Sequence, residues 1–411
     1  MKYVIVIGDG MADNPVEALG GKTPLEYAKK PVIDSLSASG ELGHVLTVPR
    51  GIAPGSDTAI LSIFGYDPRE YFSGRSPFEA ASSGIALDDG DISYRCNMVA
   101  LEDCDKDFRD KKILSHSGGS IEGDKSIELL GALLADSVFA GMLAKNRMKI
   151  NPIPSFRHIA VQKGADIAGL VAIPPHDHLG EVIGGLLPSG IPLADELIAL
   201  MRRANEVLDK HPVNEERRAQ GKLPANGIWF WAEGKAVAIP SFVKKYGKSG
   251  FVVSGVPLAM GIGALAGLRF VIVPGATGEL DTDFEGKTDA IINGLLDGAD
   301  FAVLHIEAPD ECTHNGDLDG KILAIEWLDS RSVSRLVEGL KKAGEDFRML
   351  IISDHKTLTS TRGHDGDPVP YILYDSRKAS GSGLAYTEAN AAKGPYIGEG
   401  HKLIEKLFEM A

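Results

Sequence analysis

With 411 residues the chain exceeds what a single hydrophobic core ordinarily organises, and two domains are expected. A formal charge of −14 argues against nonspecific nucleic-acid binding, which needs a basic surface, but leaves room for a small anionic substrate held by cations and a few basic side chains. Three scattered cysteines, Cys96, Cys104 and Cys312, with no C-x-x-C pair, exclude a disulfide framework and a zinc ribbon.

Residues 3–7 form a short apolar run ending at Gly8-Asp9. A secretory signal needs a longer apolar core and a small-residue cleavage site, so this stretch reads as a first strand. No run approaches the roughly 18 apolar residues of a membrane span, and a cytoplasmic protein without membrane contact is expected. A helix is predicted to begin at Ser56, within Pro54-Gly55-Ser56-Asp57-Thr58, with Ala59, Ile60, Leu61, Ile63 and Phe64 on its buried side. Gly65-Tyr66-Asp67-Pro68 stops it.

From Asp88 the texture changes. Acidic loops at 88–91 and 102–105 bracket a strand-like 92–101, followed by a helical 126–140 and a strand at 156–162. Pro174-Pro175-His176-Asp177-His178 closes the stretch, and 89–184 reads as an inserted α+β domain. Beyond it 193–209 is amphipathic and helical, and 228–231, 251–254, 270–273, 301–306 and 349–352 are candidate strands. Helical patterns between several of them are what crossovers of a parallel sheet require. The expected catalytic domain is therefore discontinuous, 1–88 with 185–411, an α/β domain whose mostly parallel sheet is flanked by helices.

Three of the apolar runs end in loops rich in possible ligands: Asp9, then Asp310 with His314, then Asp354-His355 followed by His364. In open α/β sheets ligands bind beyond the carboxyl ends of the strands, so these loops are expected to converge. Carboxylates and imidazoles gathered there suit two divalent cations, and a serine beside them suits phosphoryl transfer. Asp310 and His314, four apart, share one face of a helix. Taken alone, Ser56 has an ordinary role as an N-cap. A helix start can also stabilise a serine alkoxide or the phosphoryl group it acquires. His44, His211, His305 and His401 have no such context and read as structural.

Other motifs fail. Gly21-Lys22-Thr23 and Gly247-Lys248-Ser249 resemble the end of a phosphate-binding loop, but Val16 and Phe242 stand where its first glycine is needed. Gly261-Ile262-Gly263 lacks the following ribose-binding acid.

Several phrases then narrow the reading: Gly21-Lys22-Thr23-Pro24-Leu25-Glu26, residues 54–68, Gly74-Arg75-Ser76-Pro77-Phe78-Glu79-Ala80, Tyr94-Arg95-Cys96-Asn97, Pro224-Ala225-Asn226-Gly227, and residues 307–316. Over nearly its whole length the chain resembles the archaeal-type cofactor-independent phosphoglycerate mutases of the alkaline phosphatase superfamily. The resemblance implies an enzyme that interconverts 2-phosphoglycerate and 3-phosphoglycerate through a phosphoserine at Ser56, without 2,3-bisphosphoglycerate. By position, one metal would be held by Asp310, His314 and His364, and the other by Asp9, Asp354, His355 and the Ser56 oxygen. Manganese is the family's usual ion, with zinc, cobalt or magnesium as substitutes. The resemblance makes 89–184 the substrate-binding domain, and the expected partner is a small phosphorylated substrate, anchored by Arg95, His116, Arg157 and His158 of the insertion and Lys235 of the catalytic domain. The chain departs from the family at Lys356-Thr357-Leu358, where Pro-Thr-Pro is common, and at Ser76, where glycine is favoured. A homoserine kinase of the same superfamily and a metal-dependent phosphatase are the alternatives.

Overall fold

The computed structural model describes residues 1–378 and 381–409. They form two compact units, Met1–Phe72 with Ala238–Ala411, and Ser73–Val237.

The first unit is built on an eight-stranded sheet. Five strands run parallel in the order Phe347–Ile352, Lys2–Gly8, Phe301–Ile306, Gly250–Val253 and Arg269–Val271. Val369–Asp375 joins the Phe347–Ile352 edge antiparallel, then pairs antiparallel with Glu41–Val45, and Tyr396–Ile397 completes the sheet. The three central strands are almost wholly apolar and buried on both faces, as a sheet covered by helices on both sides requires. Helices Phe284–Leu296 and Ser334–Lys342 lie between parallel strands in the chain, supplying crossovers. The mostly parallel α/β architecture is the expected one. Register brings Gly8 opposite Ile306 and Ile7 opposite Ile352, so the carboxyl ends of the central strands finish side by side.

The second unit has an antiparallel sheet centred on Asp91–Leu101, whose residues are all buried. It is flanked by Arg157–Lys163 on one side and Gly227–Lys235 on the other. Helices Gly123–Ala135, Ser137–Lys145 and Leu193–Leu208 contribute to its core, where Leu129, Leu133, Phe139, Leu197 and Met201 meet Met98 and Phe230.

Three expectations change here. Residues 73–88 and 185–237, assigned from the sequence to the catalytic domain, fold with 89–184. The cause is strand pairing: 228–231 is no part of the parallel sheet but lies antiparallel to Asp91–Leu101, with Phe230 opposite Cys96. A strand buried along its whole length needs two neighbours for its backbone hydrogen bonds, and the second comes from more than a hundred residues downstream. Lys235, at the end of that strand, consequently belongs to the second unit. The single helix expected over 126–140 is two, parted at Asp136, whose carboxylate accepts from the Phe139 N–H and caps the second. Among the described residues no single helix is long and apolar enough to cross a membrane.

Candidate metal centre and nucleophile

Asp9 follows the Lys2–Gly8 strand directly, and its N–H donates to the Ile306 carbonyl, which fixes where its side chain starts. Asp354 and His355 follow the neighbouring Phe347–Ile352 strand. Asp310 and His314 lie on helix Ala308–His314, just past the third central strand, and their side chains meet at 3.2 Å as the four-residue spacing predicts. His364 arrives by a hairpin. Lys356–Leu358 pairs antiparallel with Gly363–Asp365, setting His364 opposite Thr357 and its ring 4.1 Å from that of His355.

Two contiguous clusters result. Donor atoms of Asp9, Asp354 and His355 lie within 4.8 Å of one another, as do those of Asp310, His355 and His364. His314 Nε2 is 2.9 Å from His364 Nε2, while its Nδ1 faces the Arg362 carbonyl at 2.8 Å, so the nitrogen turned inward can act as a ligand. The donor set proposed from the sequence thus comes together, with His355 standing between the clusters rather than in one alone.

Ser56 begins helix Ser56–Ile63, but the N-cap is Gly55, which has no side chain to cap with, and Asp57 Oδ1 accepts from the Thr58 N–H at 2.8 Å. The Ser56 Oγ instead lies 3.1 Å from His355 Nε2. The ordinary capping role is therefore not the one the serine fills.

The electrostatics are those of a site short of positive charge. Burial, with the charges of Asp354 and Asp310, holds the Asp9 carboxyl well above the usual range. Burial works the same way on Asp310, but hydrogen bonds from His314 and His364 pull its carboxyl well below that range. The Asp310 contact raises His314 to about 9. Burial lowers His355, which keeps its imidazole neutral and Nε2 available. Asp9 Oδ1 and Asp354 Oδ2, both fully enclosed, accept no hydrogen bond among the described residues. His355 Nε2 approaches them, at 3.5 and 3.2 Å, and buried carboxylate oxygens without hydrogen bonds are costly unless a cation meets them, so the residues present fit the divalent ions the family implies. Gly10 is required beside them: its φ is +58°, its N–H donates to Asp354 Oδ1, and a Cβ there would collide with Thr357 Oγ1 and Asp310.

Around the donors lies a layer the sequence reading missed. His305 Nε2 is 2.9 Å from Asp9 Oδ2, although this histidine had read as structural. Thr357 Oγ1 donates to Asp310 Oδ1 and stands 3.2 Å from His355 Nδ1. The signal for His305 was its place one residue from the end of a central strand, next to the loops already singled out.

The expected substrate residues, all in the second unit, divide. His158 leaves the set: it is fully buried, its Nδ1 accepts from the Ile153 N–H, and its Nε2 faces Ser126 Oγ at 3.2 Å. Arg95 is buried and ion-paired to Glu79, with its guanidinium 4.4 Å over the Trp231 ring. Lys235 is exposed at its strand's end. Arg157 is different. Burial, then the nearby Arg95, lowers its guanidinium to about 10, and its Nε has no hydrogen-bond partner among the described residues. His116 sits near it, 5.9 Å from the Phe156 ring on which Arg157 also stacks, and 6.0 Å from His176. Arg75, within 3.6 Å of Glu79, joins this basic cluster and was missed as an individual residue.

A mostly parallel α/β sheet carrying such donors at its carboxyl edge, beside a helix-borne serine, has the build of a cation-dependent phosphoryl-transfer enzyme. A family profile described as 2,3-bisphosphoglycerate-independent phosphoglycerate mutase matches residues 37–214. A protein of that name from Methanothrix thermoacetophila is 43% identical over 408 residues, covering 99% of each chain. A Geobacter sulfurreducens protein described as a probable enzyme of the same name is 40% identical across 100% of both chains. Among solved structures, a Pyrococcus horikoshii protein superposes with a TM-score of 0.80 at 27% identity, covering 100% of this chain and 98% of its own. The cofactor-independent phosphoglycerate mutase from Thermoplasma acidophilum gives 0.62 at 26% identity over 100% of both. The chain belongs to the 2,3-bisphosphoglycerate-independent phosphoglycerate mutase family.

Proposed function

We propose that the chain interconverts 2-phosphoglycerate and 3-phosphoglycerate through a phosphoserine at Ser56, with no need for 2,3-bisphosphoglycerate. The observation that carries this is the placement of Ser56 Oγ against His355 within a buried donor cluster that leaves two carboxylate oxygens unsatisfied. Asp310, His314 and His364 would hold one cation, and Asp9, Asp354, His355 and the Ser56 oxygen the other. Bound there, divalent ions supply a lowered pKa for the serine hydroxyl and neutralise charge on the transferring group. Manganese is the ion proposed, with zinc, cobalt and magnesium as substitutes, since mixed oxygen and nitrogen donors accept all of them.

The chain's own groups then act in order. Ser56 gives up its proton and its oxygen attacks phosphorus, forming one P–O bond as the bond to the substrate oxygen breaks. That oxygen leaves with a proton, so glycerate departs from phosphorus as the alcohol. Ser56 stands at the start of helix Ser56–Ile63, where the helix dipole favours the negative charge the phosphoserine carries. Return transfer joins the phosphoryl group to the other glycerate hydroxyl and restores Ser56. Arg157 and His116 of the second unit supply groups that recognise carboxylate and phosphate oxygens.

The test is to incubate manganese-loaded enzyme with 3-phosphoglycerate, omitting 2,3-bisphosphoglycerate, and follow products by phosphorus NMR. Appearance of 2-phosphoglycerate is expected. Inorganic phosphate in its place would mark a phosphatase, and turnover only with ATP and homoserine would mark a kinase.

A further inference from the structure

Each carboxylate of the serine-side cluster has one oxygen held by hydrogen bonds, while the other has none and faces His355 Nε2, at 3.5 Å from Asp9 Oδ1 and 3.2 Å from Asp354 Oδ2. On Asp354 the held oxygen is Oδ1, which accepts from the backbone N–H of Gly10 at 3.0 Å and of His355 at 2.8 Å, while Oδ2 has no hydrogen-bond partner among the described residues. On Asp9 the pattern repeats with a side chain in place of the backbone. Oδ2 is 2.9 Å from His305 Nε2, and Oδ1 has no hydrogen-bond partner. His305 is itself fixed. It lies opposite Ile7 in a central strand pair, is 1% exposed, and its Nδ1 is 2.9 Å from Ser254 Oγ. Ser254 follows the adjoining strand Gly250–Val253, and its hydroxyl accepts from the Val256 N–H at 2.9 Å.

The protons in this chain can be assigned from donor and acceptor chemistry alone. With a cation at the site Asp9 is ionised and only accepts, so His305 Nε2 carries the hydrogen that reaches it. A neutral imidazole then has a bare Nδ1, which must accept. The Ser254 oxygen already receives the Val256 N–H, leaving its own hydrogen to donate to Nδ1. The line therefore runs from Val256 through Ser254 and His305 to Asp9, each group donating to the next.

We infer that His305 is a positioning residue for the cation site: oriented by Ser254, it holds Asp9 Oδ2 so that only Oδ1 is presented to the ion shared with Asp354 and His355. The inference rests on the reading that this cluster holds a cation. It adds that the ligand geometry of Asp9 is set by a histidine that touches neither ion nor substrate. A carboxylate free to rotate would offer both oxygens or neither, and the ion would lose a ligand of defined direction. Partners of this kind typically govern metal affinity by about 10–100-fold.

The experiment is a manganese titration of metal-free, full-length protein, followed by electron paramagnetic resonance, which separates free from bound ions and a coupled pair from a single ion. Wild type should take up two ions. His305→Leu should keep the ion of the Asp310, His314 and His364 half-site at wild-type affinity and bind the other about 10–100-fold more weakly, with the coupled-pair signal lost. His305→Gln, whose amide N–H can stand in for Nε2–H, should recover most of that loss. A structural role alone would not separate the two half-sites or be rescued by an amide. Two ions bound normally by His305→Leu, equal weakening of both, or no rescue by His305→Gln would overturn the inference. If His305→Leu does not fold, Ser254→Ala decides: it removes the group that orients the imidazole, so it should weaken the same ion, and wild-type binding would overturn the proposal. Failure of wild type itself to bind manganese would instead remove the two-cation reading on which this rests.

Discussion

At the scale of single residues, one position separates the proposed nucleophile from a cap. Ser56 occupies the first position of a helix, yet its oxygen turns to His355 because Gly55 takes the capping position. Ser56→Ala keeps every carboxylate and imidazole, so it should still bind two ions, with the serine-side one weakened by the missing oxygen. It should form no phosphoenzyme, which mass spectrometry of the Ser56 peptide after substrate addition checks. His314 gives a second expectation, in pH. Its contact with Asp310 raises it to about 9 in the metal-free protein. A raised value means that the protonated form is favoured by folding, so this contribution is fully present below the unfolded value of about 6.5 and is lost as pH rises through about 9. A cation must displace that proton. Manganese affinity at the Asp310 half-site should therefore rise with pH up to about 9 and level off above it, with proton release seen by calorimetry in buffers of different ionisation enthalpy.

At the scale of elements, the hairpin of Lys356–Leu358 with Gly363–Asp365 ties the two clusters together. Its Thr357 hydroxyl donates to Asp310 and sits beside His355, one ligand from each side of the centre. The Thr357 carbonyl accepts from the buried Lys321, which is also paired to Asp13, so the hydroxyl is held from behind. Thr357→Val preserves shape and removes the hydrogen bond. It should cost about 1.5–3 kcal/mol of ligand organisation, read as weaker binding of both ions, and Thr357→Ser should restore it. This hairpin also shows what a sequence can and cannot disclose. Asp9, Asp310, Asp354 and His355 were legible because each closely follows an apolar run, and local patterning finds strand ends. His364 was legible as a histidine in a loop, but its approach to His355 depends on hairpin register. His305 and Thr357 were not legible as partners of the ligands, since their roles come from neighbours on other strands and loops. The limits of the second unit were missed for the same reason, because a pairing between 91–101 and 227–235 leaves no local trace.

At the scale of the whole molecule, the proposed roles divide along the chain. The proposed cation ligands and Ser56 all belong to the first unit, whereas Arg157, His116 and the cluster around Glu79 belong to the second. Metal binding and substrate recognition should therefore be separable by mutation. His314→Ala removes a donor of one half-site, so metal analysis should find that ion depleted while the serine-side ion remains in part. Arg157→Ala touches no proposed ligand and should retain both ions. Its guanidinium is largely desolvated, with an Nε that lacks a hydrogen-bond partner among the described residues, so an arriving anion would complete its bonding rather than compete for it. Loss of a charge-assisted hydrogen bond of this kind is worth about 1.5–3 kcal/mol. The corresponding rise in KM is roughly 10- to 100-fold at unchanged metal content. Steady-state kinetics with metal analysis on the same samples checks both variants. Wild-type KM in Arg157→Ala would remove it from the substrate site, and full metal occupancy in His314→Ala would show that the ligand assignment is wrong.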